Sequence, residues 1–170
     1  VATSPSKKVS MAMKRAPSKP APEADGTNPF NYPRLVQPVL DKHCVKCHTE
    51  NNAKKDRKKT APDLRGTIIK QNGWTQSYAS LAGKYGFYFH VTNGSIRSGV
   101  HGGSRSTAGK FGAKASLLFQ MLEKGHHKLK LPAEDLHRLT LWLDSNSEFY
   151  GAYYKTKEQA AGEIVIPDLQ

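Results

Sequence analysis

The residues with the clearest chemical potential in this chain are Cys44, Cys47 and His48, in the run Cys-Val-Lys-Cys-His. The chain has two cysteines, they stand three positions apart, and a histidine follows the second. Thiols at this spacing can add across the two vinyl groups of a haem, and the adjacent imidazole is then placed under the iron as an axial ligand. The motif therefore predicts one covalently attached haem c, with His48 as the proximal ligand.

A Cys-x-x-Cys pair can also be a thioredoxin-like redox dithiol, half of a zinc site or a plain disulfide. Zinc would need two further good ligands in a compact pattern, and no second cysteine pair supplies them. A thioredoxin-like site would need a preceding strand in a βαβ context, whereas residues 33–42 have a helical pattern. Haem attachment is therefore the favoured interpretation.

The second axial position of the iron would decide what the haem does, because a strong protein ligand makes an electron carrier and an open position permits ligand binding or peroxide chemistry. In small helical cytochromes the distal ligand lies on the loop before the final helix, which here contains His126 and His127. Adjacent residues project in different directions, so at most one coordinates. We favour His126 because it follows Gly125 directly, and His127 and Met121 are the alternatives.

A buried axial imidazole needs an acceptor for its other ring N–H, because that hydrogen bond fixes the ring and raises its basicity. The run Ala61–Gly66 follows the motif after a lysine-rich loop. We assign the Pro62 carbonyl as the acceptor for His48, and Leu64 to packing on the haem edge.

Three helical segments would position these residues. Asn31 can cap a helix that begins near Pro33 and leads into Cys44, although Pro38 lies deep enough to bend or restart it. Residues 113–124 have helical periodicity that stops at Gly125, and a last helix runs from Leu131 to near Asn146. The expected fold is mainly α, a cytochrome c-like helical domain around one haem, with long loops and an extended N-terminal linker.

Composition divides the chain into three parts. Residues 1–27 are rich in Ser, Pro, Ala and Lys without hydrophobic periodicity and are expected to be a flexible linker. Residues 28–154 form the expected haem domain, and residues 155–170 a C-terminal tail. Between them, residues 92–112 are rich in Gly, Ser and Thr and predict a long loop.

Lys and Arg exceed Asp and Glu by 12 in this chain of 170 residues. No zinc finger, helix-turn-helix or aromatic-interleaved basic helix accompanies this charge, so nucleic acid is not expected as a partner. The charge, densest at Lys54–Lys59, could steer docking to an acidic redox protein or a neighbouring domain. No stretch is apolar enough for a membrane span. Because haem c is attached after export, we expect a periplasmic or otherwise extracytoplasmic location.

Several runs together resemble the C-terminal cytochrome c domain of hydrazine synthase alpha-subunit-like proteins, which are planctomycete-type multidomain c-type cytochromes. The resemblance extends over roughly residues 13–153. The runs that carry it are Asp25–Phe30, Tyr32–Asp41, Cys44–His48, Gly125–His126, Arg138–Ser147 and Phe149–Gly151. Separately, Pro62–Gly66 resembles the Pro-x-Leu-x-Gly turn of class I cytochromes c.

The resemblance implies a bis-histidine haem c, with His48 proximal and His126 in the matching distal position. It also implies electron transfer as one module of a larger exported protein, and the linker at the start fits such a module. The β-propeller and the separate catalytic haem site of that family have no counterpart in these residues, so we expect a carrier and not an enzyme. The alternative is a haem with a labile distal ligand that binds a small molecule or peroxide.

Overall fold

The computed structural model describes residues 11–50, 61–88, 91–92, 95–96, 108–166 and 168. This part of the chain is mainly helical, as predicted. A short 3₁₀ turn, Met11–Lys14, comes first. Two strands of two residues each, β1 and β2, pair in antiparallel register. The elements are α1 Tyr32–Leu35, α2 Gln37–His43, α3 Gln76–Leu81, β1 Val91–Thr92, β2 Ser95–Ile96, α4 Gly112–Ala115, α5 Leu117–Lys124, α6 Ala133–Asp144 and α7 Thr156–Ala160.

The helix that leads to the cysteines begins as the sequence predicts. The Asn31 side-chain oxygen accepts a hydrogen bond from the Arg34 amide at 2.9 Å, and Pro33 lies in the first turn. The helix then breaks at Val36, and α2 restarts with Pro38 in its own first turn. Because proline has no amide hydrogen to donate, it is tolerated at a helix start and not in a helix interior. The break therefore follows from Pro38.

The centre of the core is aromatic. Tyr32, Trp142 and Phe149 are almost completely buried. The ring centroid of Tyr32 lies 5.1 Å from those of both Tyr78 and Trp142, at interplanar angles of 75° and 69°. Edge-to-face contacts of this kind stabilise a pair beyond the area that it buries. They join α1, α3 and α6.

The segment after residue 154 packs on the domain. Ala160 and Val165 are buried, and the Asn31 amide donates to the Gln159 carbonyl at 2.8 Å. The Arg34 guanidinium binds residues from both ends of the chain: it donates to the Asp25 carboxylate at 2.8 Å and to the Glu163 carbonyl at 2.8 Å. The end of the predicted linker and the predicted tail thus meet on one side chain.

Gly151 lies where two backbone segments touch, because Asn31 and Tyr150 form an isolated antiparallel bridge. A Cβ on Gly151 would clash with the Phe30 backbone carbonyl. Since backbone atoms cannot yield as a side chain does, we expect Gly151→Ala to lower the free energy of unfolding by about 2 kcal/mol. Urea unfolding measures this, with Gly83→Ala as the control because a Cβ there meets nothing within 4 Å. Equal stability of the two variants would contradict the packing described.

Candidate functional site

The Cys-x-x-Cys-His run forms a turn at the C-terminal end of α2. The Cys44 amide donates to the Leu40 carbonyl at 2.8 Å, which continues the helical hydrogen bonding. The amides of Cys47 and His48 both donate to the Cys44 carbonyl, at 3.1 and 3.0 Å. The turn keeps the two sulfurs and the imidazole on one compact segment that a helix positions.

Neither cysteine forms a disulfide in the described structure. Burial, with a smaller contribution from the charge of Cys47, raises the pKa of the Cys44 thiol to about 11. The thiolate is the nucleophile in thiol–disulfide chemistry, and redox-active pairs have at least one thiol of lowered pKa. The environment of Cys44 therefore does not favour the redox-dithiol interpretation.

The His48 ring is fixed by the segment that follows the lysine-rich loop. Its Nδ1 lies 3.0 Å from the Pro62 carbonyl oxygen. Because a carbonyl can only accept, Nδ1 carries the hydrogen in this contact, and Nε2 is the ring nitrogen that remains for a ligand bond. The His48 carbonyl in turn accepts from the Leu64 amide at 3.0 Å. The ring is held in one orientation and one tautomer, as an axial ligand requires.

Leu64 is also held by a hydrogen bond from α2. Its side chain is 5% exposed, and its carbonyl accepts from the Gln37 side-chain amide at 3.1 Å. The same Gln37 nitrogen also donates to the Asp41 carboxylate at 2.8 Å. Sequence reasoning gave Gln37 no role. The signal that could have found it is a polar residue on the apolar face of a helix that leads to the motif.

His126 lies in the turn between α5 and α6. Gly125 ends α5 with φ at 89°, and the Leu129 amide donates to the His126 carbonyl at 2.9 Å. His127 occupies the turn with φ at 48° and is exposed, whereas His126 is half-buried. The turn thus directs the two adjacent histidines into different surroundings.

Burial lowers the pKa of the His126 imidazole, and the nearby rings of His127 and His48 lower it further. A lowered pKa means that the neutral form, with its lone pair, prevails at neutral pH. That is the form in which histidine binds a metal.

His48 and His126 are 78 positions apart in the sequence, and the fold brings their rings together, with centroids 5.9 Å apart and ring planes at 34°. Suppose that an iron is bonded to both rings at about 2 Å and that each centroid lies roughly 1 Å beyond its bonding nitrogen; the centroids would then stand about 6 Å apart. The observed spacing is close to this value. The residues present therefore fit a metal bound between two imidazoles, beside two thiols on the same turn.

The other predicted residues have simpler positions. Met121 is half-buried and packs against the core. The side chain whose ring contacts His48 is that of His126. Lys54–Lys59 lies outside the described residues. Within the described ranges, no cluster of three or more His, Cys, Asp or Glu side chains could hold a metal ion. A haem iron does not need such a cluster, because the porphyrin supplies its four equatorial nitrogens.

An ion pair between helices fixes the end of α2 that carries the motif. His43 Nε2 lies 2.7 Å and Lys42 Nζ 3.0 Å from the Asp135 carboxylate, in the first turn of α6. The hydrogen bond from His43, and then that from Lys42, hold the pKa of Asp135 below its ordinary value. The sequence did not indicate this contact, because it joins residues 92 positions apart.

We expect Asp135→Asn to lower the free energy of unfolding at pH 7 by about 1 kcal/mol, since the pair is only partly shielded from solvent. A carboxylate whose pKa is lower in the folded state than in the unfolded state stabilises the fold at pH values above its unfolded-state pKa. That contribution declines below about pH 4 and is lost as the pH falls through the folded pKa. Urea unfolding across this pH range measures the decline.

The matched control is Glu134→Gln, which removes a carboxylate from the same helix turn that pairs with Arg138 at the surface. Its effect should be within about 0.5 kcal/mol, because exposed pairs of this kind contribute little. A pH-independent loss in Asp135→Asn, or equal losses in both variants, would contradict the described pairing.

None of the helices in the described part of the chain combines the length and apolar character that a membrane span requires.

Comparisons of the chain with family models, with curated proteins and with solved structures give no match. The resemblance to the hydrazine synthase alpha-subunit-like cytochrome domain therefore stays a prediction, and the case for this site is made by its own residues.

Proposed function

We propose that this chain is a mono-haem c-type cytochrome domain that carries single electrons. Cys44 and Cys47 would hold the haem covalently, and His48 and His126 would bind its iron. The observation that carries the proposal is the 5.9 Å separation of the His48 and His126 rings beside the Cys-x-x-Cys-His turn.

The attachment chemistry balances without an added oxidant. The S–H of each cysteine would add across one vinyl double bond of the haem, with sulfur bonding to one carbon and hydrogen to the other. The two thioether bonds would tie the cofactor to the turn that ends α2, next to His48.

When bound, haem c supplies a one-electron ferric/ferrous couple. The protein's part is to hold both axial positions, so that an electron can enter and leave without a change in bonding. The Pro62 carbonyl, 3.0 Å from His48 Nδ1, fixes the orientation of that imidazole. A second imidazole in place of a thioether favours the oxidised state and a lower potential.

The proposed partner is an acidic redox protein or a neighbouring domain of the same exported protein. Lys46 lies within the motif, and Lys124 and Lys128 flank His126; all three are exposed. Positive charge around a redox centre speeds encounter with a negative surface, and salt weakens the effect. The role proposed is that of a carrier outside the cytoplasm and not of an enzyme.

A second candidate is a haem whose distal ligand leaves to admit a small molecule or peroxide. It is favoured by the backbone next to His126, where His127 and Lys128 have φ of 48° and 61°. Non-glycine residues in this conformation store strain, typically about 1–3 kcal/mol each. A strained turn could release His126 at low cost.

A redox titration of the purified chain with its haem, combined with addition of carbon monoxide, tests the proposal. The carrier role predicts a reversible one-electron transition and a ferrous spectrum that carbon monoxide leaves unchanged. Rapid formation of a carbon monoxide adduct supports the second candidate. A chain that acquires no haem when produced with haem c attachment machinery overturns both.

A further inference from the structure

A cavity of about 490 Å³ lies outside the Cys-x-x-Cys-His turn and contains none of its residues. Its walls come from the start of α3, from the segment after α6 and from the start of α7. The side chains that matter are Trp74, Tyr78, Glu148, Phe149, Tyr150 and Tyr153. The volume is within the range of small-molecule sites. The function proposed above gives this cavity no role.

The aromatic walls meet at steep angles. The centroids of Trp74 and Tyr78 are 5.2 Å apart at 74°, and those of Phe149 and Tyr150 are 4.7 Å apart at 86°. Tyr78 and Phe149 join the two pairs at 4.8 Å and 57°. Tyr78 and Phe149 are buried and form the inner wall of the cavity, whereas Trp74 and Tyr153 are exposed at its opening to solvent.

The polar groups of the wall are used to hold it in place. The Tyr78 hydroxyl donates to the Ser147 carbonyl at 3.0 Å, and the Trp142 indole N–H donates to the Glu148 carbonyl at 3.1 Å. These bonds anchor the segment that carries Glu148 and Phe149 to two buried rings. The cavity is therefore preformed, which lowers the entropic cost of binding.

Glu148 supplies the one charged side chain among the residues that line the cavity in the described structure. Its carboxylate lies close enough to Tyr78 to add to the effect of burial in raising the pKa of that phenol. The Glu148 side chain is exposed, and its carboxylate also accepts a hydrogen bond from the Asn146 side-chain amide at 3.3 Å. Ring faces and a carboxylate both attract cations.

We propose that this cavity binds an organic cation with apolar substituents, of the quaternary or methylated ammonium class. The aromatic rings would surround the substituents, and the Glu148 carboxylate would neutralise the charge. A strongly hydrated metal ion does not suit such walls, because the rings cannot replace its oxygen ligands. None of the described side chains that line the cavity is positively charged, so an anionic ligand would find no opposite charge there.

The test is an NMR titration of the full chain with choline, compared with 3,3-dimethylbutan-1-ol, which has the same shape without the charge. The indole N–H signal of Trp74, assigned with Trp74→Phe, reports on the cavity, and that of Trp142 reports on the core. We expect saturable choline binding with Kd on the order of millimolar, and roughly tenfold weaker binding of the neutral alcohol.

Glu148→Gln should weaken choline binding roughly fivefold and leave binding of the alcohol unchanged, because only the charge contribution is removed. The control is Glu123→Gln, which removes an exposed carboxylate on α5 that pairs with Lys114 of α4 and does not line the cavity. Equal affinity for choline and the alcohol, no effect of Glu148→Gln, or no saturable shift of the Trp74 signal overturns the proposal.

Discussion

Chains carrying both Cys44→Ala and Cys47→Ala are expected to lose covalent haem completely. Each thioether needs a sulfur on the turn that ends α2, and the chain has no other cysteine to replace them. Intact-mass measurement under denaturing conditions detects the attachment directly, since only a covalent bond survives unfolding. The unsubstituted chain should carry the mass of one haem, and the double variant none.

The single variants separate the two positions. Cys44→Ala and Cys47→Ala each leave one sulfur and therefore at most one thioether bond. The matched control is Lys46→Ala, which changes the same turn without removing a thiol and should retain full attachment. Covalent haem in the double variant, or its absence from the unsubstituted chain produced with attachment machinery, would contradict the proposed role of the motif.

The second large effect is expected at the centre of the core. Trp142 is 0% exposed and contacts the rings of Tyr32 and Tyr78. Trp142→Ala removes this contact area and leaves a cavity, so we expect the free energy of unfolding to fall by about 3–5 kcal/mol. For a chain of this size, such a loss corresponds to a decrease in Tm on the order of 10 °C.

Trp74→Ala is the matched control because it removes the same side chain from a position that is 38% exposed. Its cost should be about 1 kcal/mol, since much of the indole already contacts water. Thermal and urea unfolding of both variants, measured with the same haem content, give the comparison. Similar losses for the two tryptophans would contradict the aromatic core as described.

The local features of the site could be predicted from the sequence. Asn31 and Pro33 predict the start of α1, and Pro38 predicts the break before α2, because caps and prolines act within one turn of chain. The structure also places Pro62 beside the His48 ring, at the short chain distance that a rigid turn after the motif can reach. These expectations needed no knowledge of distant contacts.

Some helix boundaries were wrong for a local reason. The predicted helix over residues 113–124 is two helices, because Ser116 adopts an extended conformation with ψ at 142°. Its hydroxyl accepts from the Phe119 amide at 3.1 Å and thereby caps α5. The apolar periodicity continues through Ser116, so it does not indicate the break. A serine followed by an apolar run is the signal that the periodicity overrode.

The long-range features could not be derived from the sequence. The contact of His43 with Asp135, and the spacing of His48 and His126, depend on how α2 and the loop before α6 meet in space. Segments with little periodicity were also unpredictable: Gln159 is buried, although a glutamine in a polar stretch predicts exposure. Its side chain donates to the Ala152 carbonyl at 2.8 Å, which compensates for its burial.

The low-temperature EPR spectrum of the oxidised, haem-bearing chain tests the central claim most directly, with His126→Ala and His127→Ala measured in parallel. The account predicts a low-spin signal of the bis-imidazole type in the unsubstituted chain and in His127→Ala. It predicts conversion to a high-spin signal in His126→Ala, because that variant leaves one axial position without its imidazole. A low-spin spectrum unchanged in His126→Ala would contradict the assignment of His126 as the second ligand.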